Sequence, residues 1–194
     1  IVHGYTYKLT NNTHLKVNNM SSLNWFLEQA RLGNMFTAAN QAAATVTLIN
    51  TSTATGFILS NPWGSGKDLV LKNVNFSYTT VPTATAIVFL ACSIAPSATA
   101  HATVTALNVY NSKGNQATTS NAGRAYNAST PPNLPVYTRV IGYSPTTPAT
   151  TGGLSFTDKV DGNVILVPGT YAQISYITTA PVGITSMTWA EVDS

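Results

Sequence analysis

Few residues in this chain could do chemistry, and they lie far apart: the carboxylates are Glu28, Asp68, Asp158, Asp161, Glu191 and Asp193, the histidines His3, His14 and His101, and the one thiol is Cys92. Glycoside hydrolysis needs two carboxyl groups across a cleft. Asp158 with Asp161, or either with Asp68, offers such a pair, yet an acid beside Gly162 ordinarily serves the backbone of a turn. The same acids, among Asn side chains and carbonyls, would suit a calcium ion by donor type but lack the spacing of a calcium loop. A four-ligand zinc site would need all three histidines together with Cys92, and no second ligand follows any of them at three to five residues. Gly64-Ser65-Gly66-Lys67 has the look of a phosphate loop, but Asn61 stands where the first Gly is required, Asp68 stands where Ser or Thr should bind magnesium, and a strand pattern follows where a helix is needed. Cys92 sits in the apolar run 86–92 and reads as a small buried hydrophobe. The chain is therefore read as a non-enzyme, with no catalytic residue, no cofactor and no metal.

Aromatic rings are the richer resource. Trp25 and Trp189 are in phase with apolar neighbours and are expected in the core, whereas Trp63, held between Pro62 and Gly64, is expected to be the most exposed ring. An aromatic ring on a rigid tip is an anchor for a partner. Tyr5, Tyr7 and Tyr126 complete the set of candidate contact residues.

The elements that would position these residues are mostly strands. The stretch Gly56–Tyr78 writes two β-rich runs joined by a turn cluster, and is expected to be the central ribbon of a sandwich. In its second half Leu69, Leu71, Val74, Phe76 and Tyr78 alternate with polar residues, with a slip at Lys72-Asn73 that predicts a bulge. Upstream, Leu23, Phe26, Leu27 and Ala30 after Ser21-Ser22 predict one short helix ending at Gly33. Further strands are expected within 41–50, 84–93, 103–110, 136–143, 163–167, 170–178 and 184–192, and Asp161-Gly162 and Pro168-Gly169 are turn dipeptides. Residues 111–135, rich in Asn, Ser, Thr, Gly and Pro, read as one long irregular loop. The expected architecture is all-β, a single antiparallel sandwich of jelly-roll type with eight or nine strands. Residues 1–40 form an extended arm and short helix, and 41–194 the sandwich.

Composition narrows the function classes. Only 8% of the residues are charged, against roughly 25% in ordinary soluble domains. Such an exterior lacks the mixed charges that keep free proteins dispersed, so much of it is expected to be covered by partners. The net charge is +3, but the nine bases are scattered and form no stripe that would displace counterions from nucleic acid. No apolar run approaches the roughly 20 residues of a membrane span, and the first residues carry no signal-peptide pattern.

Four stretches resemble a group of small β-rich proteins of tailed bacteriophages: 33–42 (Gly33-Asn34-Met35-Phe36 onward), 60–71 around Asn61-Pro62-Trp63-Gly64, Val167-Pro168-Gly169-Thr170-Tyr171, and Trp189-Ala190-Glu191-Val192. The resemblance implies a virion structural protein, most similar to a head decoration or cement protein that is made in the host cytoplasm and sits on the capsid surface. It also implies self-association, as a homotrimer, and contact with a major capsid protein. It carries over no catalytic residue. The alternative from a different class is a receptor- or carbohydrate-binding head-fibre or tail module that uses Trp63 and the 111–135 segment.

Overall fold

Alternation of inward and outward side chains makes these segments into a sandwich, and β5 (Lys67–Thr80) shows it most clearly. Its Leu69, Leu71, Val74, Phe76 and Tyr78 enter the core. Asn73 pairs with Thr188 while Leu71 pairs with Trp189, which leaves Lys72 as the extra residue of the expected bulge. The computed structural model describes residues 22–48, 53–80, 84–118, 121–144 and 154–194.

Two sheets face each other. The first runs β12 (Ser155–Lys159), β5, β15 (Val182–Asp193), β1 (Met35–Ala39), β8 (Val109–Asn111), β9 (Gln116–Thr118), with β13 (Ile165–Leu166) on β5 and β2 (Ala44–Thr45) on β15. The second runs β11 (Pro135–Ser144), β6 (Ala86–Ser93), β14 (Tyr171–Thr178), β4 (Ala54–Ser60), β10 (Arg124–Thr130), β7 (Ala102–Leu107). Among the described residues all pairings are antiparallel except that of the two-residue β3 (Thr47–Leu48) with β14. Phe57, Leu59, Leu90 and Ile174 of the second sheet meet Leu69, Leu71, Phe76, Met187 and Trp189 of the first, all without solvent exposure. This is the all-β sandwich that the turn-punctuated strand pattern predicts.

The single described helix, α1 (Ser22–Leu32), lies on the outer side of the first sheet, where Phe26 packs with Met35, Val70 and Ala190. Its end is a Schellman motif. Gly33, at φ +84°, donates to the Ala30 carbonyl and Asn34 to that of Gln29, so the last turn is satisfied where glycine permits the left-handed residue.

Several expectations are corrected. β4 and β5 are not a paired ribbon, because the turn between them carries the chain from one sheet to the other. The 41–50 run is two short strands, β2 and β3, that join different sheets. Residues 111–135 are not one loop: they hold β9 and β10, and β10 is flanked by β4 and β7. Its sequence Arg-Ala-Tyr-Asn-Ala-Ser-Thr has no apolar alternation, so tertiary pairing rather than local propensity makes it a strand. The sandwich takes in Met35–Ala39, within the 1–40 stretch expected as arm and helix, since β1 lies between β15 and β8. Among the described residues fifteen strand segments replace the expected eight or nine.

The margins of the sandwich are closed by polar ties. On one side Arg139 of β11 makes a bidentate pair with Asp158 of β12, at 2.7 and 2.8 Å, and so bridges the two sheets. Inside β15, Gly183 is pressed against its neighbour, where a Cβ would stand 2.4 Å from the Ser77 carbonyl oxygen and 2.6 Å from the Phe76 ring. Backbone cannot step aside there. Gly183→Ala is therefore expected to lower stability by about 1–3 kcal/mol, read as a reduced urea midpoint with an unchanged slope; an unchanged midpoint would contradict this packing.

Candidate functional site

Trp63 is presented by a turn whose geometry is set by one buried amide. The Asn61 side chain donates to the carbonyls of Lys67 and Leu166, both at 2.7 Å, and accepts from the Ser65 hydroxyl at 2.7 Å. Its backbone pairs with Thr170 and Gly169 at 2.8 Å. Both amide hydrogens and one lone pair of the oxygen are thus spent on fixing the Pro62–Gly66 turn against the Val167–Thr170 turn. The Trp63 ring rests on Gly169, where a Cβ would lie 2.7 Å from Cε3 of the indole and 2.8 Å from the Ser97 carbonyl. Gly169 also has φ +86°, so no other residue fits under the ring. The rest of the indole is open, and Trp63 is 61% exposed.

Beside Trp63 lies a cleft of about 160 Å³ on the outer side of the second sheet, walled by Trp63, His101, Tyr126, Pro132 and the 97–100 loop. Trp63 and Tyr126, two of the four predicted contact residues, are therefore brought together; Tyr5 and Tyr7 lie outside the described residues. Tyr126 reaches the cleft from β10, pairing with Ile58 of β4, and its ring belongs to a small outer core with Ala54, Ile58 and Tyr171. His101, which the sequence marked only as a packing or surface residue, stands edge-on to Tyr171 at 5.0 Å and 5.5 Å from Tyr126, with Nδ1 2.9 Å from the Ser129 hydroxyl. Burial among these rings lowers its pKa to about 4, and burial raises that of the Tyr126 phenol. At neutral pH the wall of the cleft carries no charge.

The carboxylates considered for chemistry are engaged elsewhere. Asp158 is clamped by Arg139, and Asp161, at φ +45°, belongs to the turn whose amides donate to Lys72 and Leu71. The buried Glu191 accepts from the amides of Ala122 and Gly123 and from the Trp189 indole, which ties the 121–124 segment to β15. Lys67 of the Gly-rich turn pairs with Asp193, and a strand follows it. Among the described residues no three of His, Cys, Asp and Glu come together as a metal site. Cys92 is partly buried against the core, and burial raises its pKa.

A second surface was not foreseen. Residues paired directly across strands share a face. The register therefore lines up Tyr143, Ile87 and Ile177 in one row and Val140, Phe89 and Ser175 in the next, all on the outer side of the second sheet. Val140 is 62% and Tyr143 54% exposed. β6 and β14 contain no charged residue, and the one charge of β11, Arg139, turns to Asp158. Neighbouring loops roof the other half of this sheet, with the Tyr171 hydroxyl bonded to the Asn133 carbonyl and the Ser97 amide to Gly169.

The chain matches no family model, no curated protein and no solved structure.

His101 makes stability depend on pH. Its folded pKa lies below the usual 6.5, so the unfolded chain takes up the proton first; the contribution is complete above pH 6.5 and is lost as pH falls toward about 4. His101→Asn, which keeps a partner for Ser129 but does not titrate, should reduce that loss by on the order of 1–2 kcal/mol after solvent screening. Thermal denaturation of both proteins between about pH 7 and about pH 4 checks this; parallel profiles would contradict it.

Proposed function

We propose that the chain is a virion structural protein, a decoration subunit that binds the outer face of a capsid lattice and stabilises it by bridging subunits. The observation that carries this reading is an apolar patch on a sheet face without charges, where Val140 and Tyr143 stand exposed beside the half-buried Ile87, Phe89 and Ile177. Contiguous apolar surface of this kind is costly on a free molecule and marks a contact surface. Low overall charge points the same way, since only 8% of residues are ionic. The resemblance of the 33–42, 60–71, 167–171 and 189–192 stretches to tailed-phage proteins supplies the setting.

The edge strand next to this face indicates how contact is made. β11 is terminal in its sheet, but its register shifts between Tyr137 and Arg139 and again between Val140 and Gly142. Bulges and an inward-pointing charge are devices that discourage strand addition. Association then uses the face, by side-chain burial, rather than the edge. Copies of the chain cover one another's apolar rows, as a homotrimer in the reading implied by the resemblance, and the assembled copies meet the major capsid protein. Symmetric copies multiply weak contacts with a lattice into stable attachment. The chain, which changes sheet repeatedly, at the β4–β5, β5–β6, β7–β8 and β11–β12 connections among others, serves in this reading as a jelly-roll wall element.

The test combines addition to undecorated phage shells with sedimentation equilibrium of the free chain. Wild type is expected to self-associate and to co-sediment with shells in stoichiometric amounts. The double variant Val140→Lys/Tyr143→Lys, which changes exposed side chains only, should melt within a few degrees of wild type and associate at least about tenfold more weakly. A wild-type chain that remains monomeric and leaves shells bare would overturn the proposal.

A further inference from the structure

We propose that the cleft beside Trp63 is a binding site for a single uncharged sugar ring, stacked on the indole and hydrogen-bonded by His101 and Tyr126. This inference does not rest on the assembly reading, because it uses a different part of the surface. Trp63 is fixed from below by Gly169 and from behind by the Asn61 ties, so its exposed ring is ordered before any ligand arrives. A preorganised ring loses little entropy on binding. The C–H-rich face of a pyranose is a natural partner for such a surface, apolar on the face and polar at the rim.

Polar groups stand where the hydroxyls of the sugar would be. Among the described residues the Tyr126 hydroxyl has no hydrogen-bond partner, and His101 engages one nitrogen with Ser129 and leaves Nε2 free. Neutral imidazole and phenol both donate and accept, which suits hydroxyl groups better than ions. Ser60, Asn61, Ser97 and Thr99 complete a wall with no charged side chain. Acidic sugars and phosphosugars would find no counter-charge there. At about 160 Å³ the cleft is smaller than the ~300 Å³ at which pockets for drug-sized ligands begin, so it takes one ring of a chain rather than an oligosaccharide along its length. A proline-rich peptide also favours aromatic clefts, but it docks along a groove several residues long, and the cleft is compact.

Saturation-transfer NMR of the full chain with the methyl glycosides of glucose, galactose, N-acetylglucosamine and glucuronic acid tests the site, together with a polyproline peptide. Transfer to at least one neutral glycoside is expected, with a Kd of about 1–10 mM for a single ring. Trp63→Ala should weaken that binding by about tenfold or more, and Trp63→Phe should retain part of it. Since Trp63 is a surface residue, a melting curve close to wild type is expected for both variants. Absence of transfer from every neutral glycoside, transfer undiminished in Trp63→Ala, preference for the glucuronide, or binding of the peptide alone would each overturn the proposal. Such failure would leave the apolar face and its assembly test untouched.

Discussion

The Asn61 side chain, fully buried at the end of β4, makes a tie on which much of this molecule depends. It holds the start of β5 and the carbonyl of Leu166 on one sheet, while its backbone grips the turn that leads into β14 on the other. A buried amide left unsatisfied costs about 1–3 kcal/mol per group, so the crossing geometry is specified as well as stabilised. The turn that this amide organises also displays Trp63. Fold and candidate site are therefore joined at a single residue.

Elsewhere the same economy prevails. Asn40 binds the Gly56 carbonyl and the Asn127 side chain, and accepts from the Thr185 amide, linking the first sheet to β4 and β10. Glu191 and the Arg139–Asp158 pair do comparable work at other margins. With nine bases and six acids in the chain, neutral amides and hydroxyls take up bonding that other domains give to ion pairs, and few charges are left for the exterior. The rows of Thr, Ser and Asn on the first sheet, such as Asn75 bonded to Ser186 and Ser77 to Ser155, present hydrogen-bonding groups without charge. On the outer face of the second sheet, where β6, β14 and β11 meet, the hydrogen-bonding groups of Gln173 and Ser175 are buried and bonded to each other, and the exposed side chains beside them include Val140 and Tyr143.

Much of the fold was legible because β5 and β15 alternate strongly, and because Gly33, Gly162 and Gly169 mark true stops and turns. The bulge at Lys72 was visible as a break in phase. What the sequence concealed was pairing. Nothing in 56–78 says that β4 and β5 belong to different sheets, since the decisive bond reaches from Asn61 to Leu166, far along the chain. β10 was hidden because small and polar side chains suffice for a strand held on both sides. Trp63 was legible as an exposed ring from its Pro and Gly neighbours, and Tyr126 from its residue type. His101 was not, because its role comes from Tyr126, Tyr171 and Ser129, which only the fold brings to it. The apolar rows were likewise invisible, as they arise from register between β11, β6 and β14 rather than from any one stretch.

In the proposed reading the uncharged outer face of the second sheet is one that neighbouring molecules cover. Hydroxyl-radical footprinting of Phe89, Val140 and Tyr143, compared between the dilute free chain and the same chain bound to shells, tests this most directly. The account predicts strong labelling of Val140 and Tyr143 and weaker labelling of the half-buried Phe89 in the free chain, with protection of all three in the bound state and exposed residues such as Leu32 labelled equally in both. Equal labelling of Phe89, Val140 and Tyr143 in the two states would contradict it.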